Sequence, residues 1–280
     1  MWRRPAPPPG RERGTLPHQP ARTPALRYTP RVIDDYLARI AYAGPREPTR
    51  DVLRALHEHH MLAVPFENLD IHWKRPIVVD VDRFLDKILH QRRGGFCYEL
   101  NGAFAALLRA LGFDVTMLSG RVISADGTFG PPFDHMALLA RLEDGSRWLA
   151  DVGFGDSFLA PLNLDDRGEQ HDRAGIFRIA EGDEWSMQVR RDDAWSTEYL
   201  FTLDPHELPE YTPMCDFQQF SPQSAFTKKK VCSLATRDGR ITLSSDKLVI
   251  TRNGVREERS VEAGEWEAVL KDTFGIVQST

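Results

Sequence analysis

Three residues near the middle of the chain could do chemistry together: Cys97, His135 and Asp151. Cys97 follows Gly94-Gly95-Phe96 and opens a run in which Phe104, Leu107, Leu108 and Leu111 recur at helical spacing up to Gly112. A thiol there sits at a helix N-terminus, where free N–H groups and the macrodipole favour an anion and lower its pKa. The two glycines let the backbone turn sharply and a substrate come close. A small buried apolar cysteine fits the same context. The choice between them rests on finding a base and a group to orient it.

His135 opens the apolar run His135-Met136-Ala137-Leu138-Leu139, and Asp151 ends the next strand, within Ala150-Asp151-Val152-Gly153-Phe154-Gly155. An acid at an apolar strand end needs a partner. If Glu143-Asp144-Gly145 is a three-residue hairpin loop with Gly145 in the left-handed position, Leu142 pairs with Ser146 and Asp151 faces Ala137. His135 is then a diagonal neighbour on the same face, about 7–8 Å away at the backbone and within side-chain reach. A two-residue Asp144-Gly145 loop would place the two on opposite faces. With the longer loop, His135 takes the thiol proton, while Asp151 holds the imidazole and stabilises its cation. By themselves these residues point to thiol-based acyl transfer or amide hydrolysis. His57, His59 and His60 cluster on one predicted helix, but they lack the i, i+4 metalloprotease spacing and a third ligand, so no metal is expected. Cys215 and Cys232 have no visible base and read as structural thiols.

The elements that must position the trio follow from periodicity. Val32, Ile33, Tyr36, Leu37 and Ile40 predict one helix. Thr49 caps a second helix, and Asp80 a third with the stripe Phe84, Leu85, Ile88 and Leu89. The helix from Cys97 is the fourth. After Gly112 the texture changes to short β-rich runs, 115–123, 135–142, 147–152, 177–180, 186–190 and 198–203, punctuated by turns such as Asp126-Gly127 and Glu181-Gly182. The last third mixes strands at 231–235, 241–243 and 247–251 with a helix over 261–271. The fold class is α+β. The expected division is a helical part over 28–112, an antiparallel barrel over 113–213 and an α/β lid over 214–280.

The chain has 280 residues, three cysteines and a net charge of −5. Residues 1–27 carry six arginines against Glu12, and seven of the 19 prolines, leaving −10 on the remaining 253 residues. This stretch reads as a disordered basic tail, poor in large apolar residues, and without serine it does not read as a targeting peptide. No apolar run is long enough to span a membrane. Mild acidity argues against nucleic acid as a partner. Three cysteines cannot build a disulfide scaffold, and a reducing, cytoplasmic setting is expected.

Four motifs, in order, resemble the arylamine N-acetyltransferase family. They are Val64-Pro65-Phe66-Glu67-Asn68-Leu69-Asp70, Arg93-Gly94-Gly95-Phe96-Cys97-Tyr98-Glu99-Leu100-Asn101, His135 with Asp151-Val152-Gly153-Phe154-Gly155, and Ser224-Ala225-Phe226-Thr227 with Cys232-Ser233. The likeness spans roughly residues 28–280. It implies a helical bundle and a β-barrel sharing a cysteine-protease-like core, with an α/β lid. It also implies a ping-pong enzyme in which acetyl-coenzyme A, a cosubstrate rather than a resident cofactor, acetylates Cys97. An arylamine, hydrazine or arylhydroxylamine then takes the acetyl group. Cys97, His135 and Asp151 carry over as the triad, and Arg93 with Glu67 as a structural ion pair. Phe154 and Phe66 would line the amine pocket. Gly153 and Gly155 would let the chain pass close to coenzyme A, with Phe226, Thr227 and Lys228 near it. Lys228 begins the run Lys228-Lys229-Lys230, which suits phosphates on an otherwise acidic protein. A thiol amidohydrolase, transglutaminase-like enzyme or amide synthase could share the triad. A catalytically silent binding relative is opposed by the intact triad.

Deleting residues 1–27 is expected to leave turnover unchanged, measured as kcat and KM against the full chain; a large loss would give the tail a role.

Overall fold

The computed structural model describes residues 30–124 and 126–278; the tail expected over 1–27 lies outside them. The first part contains α1 (Pro30–Arg39), α2 (Arg50–Ala63), a two-residue strand β1 (Phe66–Glu67), α3 (Leu69–His72), α4 (Val81–Leu85) and α5 (Cys97–Ala110). Both caps read from the sequence form: Thr49 Oγ1 accepts the Val52 N–H at 3.4 Å, and Asp80 Oδ1 accepts the Arg83 N–H at 3.0 Å. The third helix continues beyond α4 as a π-helical turn, Asp86–His90.

α5 differs from the amphipathic helix the sequence predicts, because every residue from Cys97 to Leu108 is buried. Small side chains, Gly102, Ala103, Ala105 and Ala106, fill the turns between its large ones. Neighbours therefore pack on all sides, α1 and α4 on one and strands on the other.

Those strands belong to an eight-stranded antiparallel sheet: β2 (Asp114–Val122), β3 (His135–Arg141), β4 (Arg147–Ala150), β5 (Leu162–Asn163), β6 (Gln170–Asp172), β7 (Gly175–Ala180), β8 (Trp185–Arg191) and β9 (Ala194–Phe201). Their order is β5-β4-β3-β2-β9-β8-β7-β6. The two edge strands meet through side chains. The Asn163 N–H donates to Gln170 Oε1 at 2.7 Å, and Gln170 Nε2 donates back to the Asn163 carbonyl at 2.8 Å. The sheet is thus a nearly closed barrel. β3 is buried on both faces: Ala137 and Leu139 point to the barrel core, Met136, Leu138 and Ala140 to the helical core. Burial on both sides is why its sequence is a continuous apolar run rather than an alternating one.

The β3–β4 hairpin has the three-residue loop. Leu142 N–H donates to the Ser146 carbonyl at 3.0 Å, the ladder runs from Arg141 opposite Arg147 to Leu138 opposite Ala150, and Gly145 has φ +84°. In this register His135 and Asp151 share the face of Ala137 and Leu149, the face that lines the barrel core.

After β9 come α6 (Thr212–Phe220), α7 (Ala225–Lys228), β10 (Val231–Thr236), β11 (Gly239–Ser244), β12 (Lys247–Arg252), β13 (Val255–Ser260) and α8 (Trp266–Phe274). These strands form a second antiparallel sheet, β1-β10-β11-β12-β13, whose first strand comes from the N-terminal part. β13 is absent from the sequence reading because all six of its residues are exposed, leaving no alternation to see. The last helix starts later than expected: Val261 is still tied by its N–H to the Asp246 carbonyl at 2.9 Å.

Because a Cβ on Gly145 would meet open space, only backbone conformation resists substitution there. Gly145→Val is expected to cost about 1–2 kcal/mol, seen as a Tm lowered by roughly 2–8 °C in thermal unfolding. An unchanged Tm would show that the loop tolerates another turn.

Candidate active site

Phe96 stays extended, and its N–H donates to Glu99 Oε2 at 3.1 Å, so the helix that starts at Cys97 is closed by its own third-position carboxylate. Glu99 also belongs to a buried cluster behind the thiol. Lys87 Nζ lies 2.7 Å from Glu99 Oε1, 2.8 Å from Asp70 Oδ2 and 3.5 Å from Glu67 Oε1. Arg93 reaches Glu67 Oε1 at 2.7 Å and Asp70 Oδ1 at 2.5 Å. The Arg93–Glu67 pair is therefore one edge of a five-membered network. Three carboxylates face two cations, and the surplus falls on Glu99: burial, with Glu67 and Asp70 beside it, pushes its carboxyl up to about 7 against the pull of Lys87. Burial also works to raise Asp70, but Lys87 and Arg93 outweigh it and hold that carboxyl below the usual range.

On the barrel side, His135 Nε2 lies 2.7 Å from Asp151 Oδ2, and both side chains are buried. Asp151 Oδ1 accepts Asn101 Nδ2–H at 2.9 Å and the Gly153 N–H at 3.0 Å. Burial opposes the charged form of Asp151, yet His135, Asn101 and Gly153 together keep its carboxyl below the ordinary value. Asn101, one turn after Cys97, also donates to the Met136 carbonyl at 2.6 Å and accepts the Val152 N–H at 3.0 Å. It thereby ties α5 to β3 and to the end of β4. The Met136 N–H is directed at the Cys97 thiol and favours its thiolate.

Burial works against the expected depression of the Cys97 pKa. Burial pushes the thiol well up, Asp134 and Asp151 add to this, and the Met136 N–H only partly offsets them. The helix terminus that should favour an anion already serves the Glu99 carboxylate.

Phe154 sits edge-on to the His135 ring, with centroids 5.3 Å apart, and beside Tyr199 at 5.2 Å. A Cβ on Gly153 would stand 2.7 Å from Cys97 Cα, so glycine is what lets the chain pass the Cys97 backbone. Gly155 has φ +94°, and a Cβ on it would approach the Phe66 ring at 3.2 Å. Phe66 and Phe96 both lie against Phe226, at 6.1 and 5.6 Å between centroids.

Two of the expected ligand-facing groups also make hydrogen bonds within the protein, and Lys228 stays exposed. Thr227 Oγ1 donates to the Ser221 and Ser224 carbonyls at 2.8 and 3.0 Å, and Lys228 Nζ donates to the Gln223 carbonyl at 3.2 Å. Of the lysine run only Lys229 lines the large cleft between the barrel loops and the second sheet. This cleft of about 840 Å³ also presents Arg237, Arg240, Lys247 and Arg256. Lys230 instead covers the Trp266 ring at 3.7 Å.

Lys87, Glu99 and Asn101 had no role in the sequence reading. Asn101 had a findable signal, one helical turn beyond Cys97. Lys87 had none, since nothing local separates it from a solvated helix lysine. The clustered histidines take separate partners: His59 Nδ1 the Ile40 carbonyl, His60 Nδ1 the Tyr36 hydroxyl, and His57 main-chain groups of Asp151 and Leu159. Among the described residues no His, Cys, Asp and Glu group is arranged to hold a metal ion.

A buried cysteine at a helix start, set against a histidine–aspartate pair on barrel strands, is a cysteine-protease-like core. A family model described as N-acetyltransferase matches residues 49–279. The chain is 35% identical over 250 residues to the arylamine N-acetyltransferase of Escherichia coli, covering 88% of this chain and 89% of that protein. A solved arylamine N-acetyltransferase from Salmonella typhimurium superposes with a TM-score of 0.83 at 33% identity, covering 88% and 91% of the two chains. Another, from Mycobacterium marinum in complex with CoA, gives 0.82 at 32% identity over 87% and 92%. The chain belongs to the arylamine N-acetyltransferase family and is a transferase.

The charge cluster generates a pH test. Glu99 binds its proton more tightly folded than unfolded, so its contribution to stability falls as pH rises from about 4.5 towards about 7. Glu99→Gln is expected to remove that part of the slope, at most about 1.4 kcal/mol per pH unit for one proton, in denaturant melts across this window. Parallel curves for the two proteins would place the surplus charge elsewhere.

Proposed function

We propose that the protein transfers acetyl groups from acetyl-coenzyme A to arylamines, hydrazines or arylhydroxylamines through an acetyl-Cys97 intermediate. The observation that carries this reading is the 2.7 Å His135–Asp151 contact beside the start of the Cys97 helix. With Nε2 committed to Asp151, Nδ1 is the ring nitrogen left to serve the thiol. His135 is placed to take the thiol proton as a general base, and Asp151 to hold its ring.

In the first half-reaction Sγ bonds to the thioester carbonyl carbon while its proton passes to His135 Nδ1, and Asp151 stabilises the imidazolium. The tetrahedral adduct collapses, the bond to the coenzyme sulfur breaks, and the leaving thiolate takes the proton back. In the second, the amine nitrogen attacks acetyl-Cys97 and gives a proton to His135, which returns it to the departing Cys97 sulfur. Phe154, edge-on to His135, supports an aromatic acceptor pocket, with Phe66 further along the same loop's contacts. The cleft lined by Lys229 and Arg237, with the exposed Lys228 next in the chain, supports a phosphate-bearing cosubstrate. The CoA complex of the Mycobacterium marinum relative supports the same cosubstrate.

Incubation with acetyl-coenzyme A and no amine should add one acetyl group to the Cys97 peptide, read by mass spectrometry, and added arylamine should remove it as acetylated amine. Cys97→Ala should abolish both while the fold is retained. Transfer surviving in Cys97→Ala would end the proposal, and thioester loss to water that ignores the amine would return the hydrolase reading.

A further inference from the structure

Asp151 is held by more than its carboxylate. β4 ends at Ala150, so the Asp151 N–H has no ladder partner. It is met instead by a side chain 94 positions earlier in the chain: it donates to His57 Nε2 at 3.1 Å. The opposite ring nitrogen, Nδ1, lies 2.8 Å from the Leu159 carbonyl. One imidazole therefore bridges both ends of the loop from 151 to 159, the loop that carries Gly153, Phe154 and Gly155 past Cys97 and His135.

The bridge works in a single form. Nε2 must present its lone pair to the Asp151 N–H, so Nδ1 carries the hydrogen and donates it to Leu159. A doubly protonated ring would set N–H against N–H. The surroundings favour the neutral ring, because His57 is wholly buried, stacked on Phe158 at 5.6 Å and edge-on to Phe104. Burial holds its pKa below the ordinary histidine value against the pull of Asp151 and Asp172. The far end of the loop is pinned as well, since Asp172 accepts the Leu159 and Ala160 N–H groups at 3.1 and 3.0 Å. His60, one turn further along α2 and equally buried, packs on the same Phe104 ring but bonds to the Tyr36 hydroxyl at 3.0 Å and makes no hydrogen bond to the 151–159 loop.

From this geometry we infer that His57 is a positioning residue for the reaction: a neutral imidazole strut that sets the main chain of Asp151, and through it His135, while closing the Phe154 loop. The inference rests on Asp151 acting as the triad acid. An unmet buried N–H would tend to turn the Asp151 backbone out of line. A small misplacement of a catalytic group is costly in rate even where it is cheap in stability.

The test separates the two ends of the strut. Glutamine can place its carbonyl oxygen near the position of Nε2, and asparagine can place its amide near that of Nδ1. The readouts are kcat and the rate of Cys97 alkylation by iodoacetamide. His57→Gln is expected to stay within about threefold of the parent, whereas His57→Asn should slow both by roughly ten- to a hundredfold. KM should change little, and His60→Asn, the packing control, should lower Tm without slowing alkylation. Long-range proton–nitrogen NMR on the unaltered protein should show His57 protonated on Nδ1 and unchanged across neutral pH. A ring protonated on Nε2, equal slowing by Gln and Asn, or slowing in His57→Asn only in step with lost folding as in His60→Asn would each overturn the strut. Alkylation needs no acetyl donor, so these outcomes are distinguishable from transfer surviving in Cys97→Ala, which would overturn the proposed function instead.

Discussion

Five charged side chains buried behind Cys97 form the constraint that the rest of the structure answers to. Glu67, Asp70, Lys87, Arg93 and Glu99 come from β1, α3, the π-helical turn, the glycine-rich lead-in and α5. Removing one member of a buried ion pair leaves an uncompensated charge at a cost of roughly 3–5 kcal/mol. These segments therefore have one economical arrangement, and that arrangement fixes where α5 begins. It also reaches the second sheet, because Glu67 pairs with Cys232 in β10. The same ions thus set the Cys97 helix and dock the C-terminal sheet beside it.

The other half of the site depends on strand register. β3 and β4 have a side-chain period of two, so a one-residue slip would send His135 and Asp151 to opposite faces. The three-residue loop with Gly145 at φ +84° prevents the slip, and Asn101 and His57 then hold the strand end from α5 and α2. Much of the site is consequently main-chain geometry. Gly153 passes within a methyl group's reach of the Cys97 backbone, Met136 directs its N–H at the thiol, and Asp151 offers its own N–H to a distant ring.

A good part of this is legible in the amino-acid sequence. The helix caps at Thr49 and Asp80, the hairpin loop before Ser146 and the start of the Cys97 helix are decided by residues within a few positions of each other. The trio is legible for the same reason, since each member stands at an element boundary with its own local signature. What is not legible is burial. Glycine at 153 reads as room for a ligand, and the Cys97 backbone is packed against it as well. The Thr227 hydroxyl is turned to the Ser221 and Ser224 carbonyls, a commitment that the motif itself does not reveal. β13 leaves no pattern because exposed residues on both faces carry none.

The sequence alone determined most of the elements, the hairpin register and the candidate trio of Cys97, His135 and Asp151, since these follow from propensity, periodicity and turn chemistry over short spans. Only the tertiary structure decided their electrostatics. Whether Cys97 is helped or hindered as an anion depends on how deeply it is buried, on Glu99 closing its helix and on carboxylates from distant strands. Whether Lys87 is a solvated lysine or the partner of three carboxylates depends on segments that meet only in the folded chain. Solvation and charge are sums over everything nearby in space, and one stretch of sequence does not contain its neighbours.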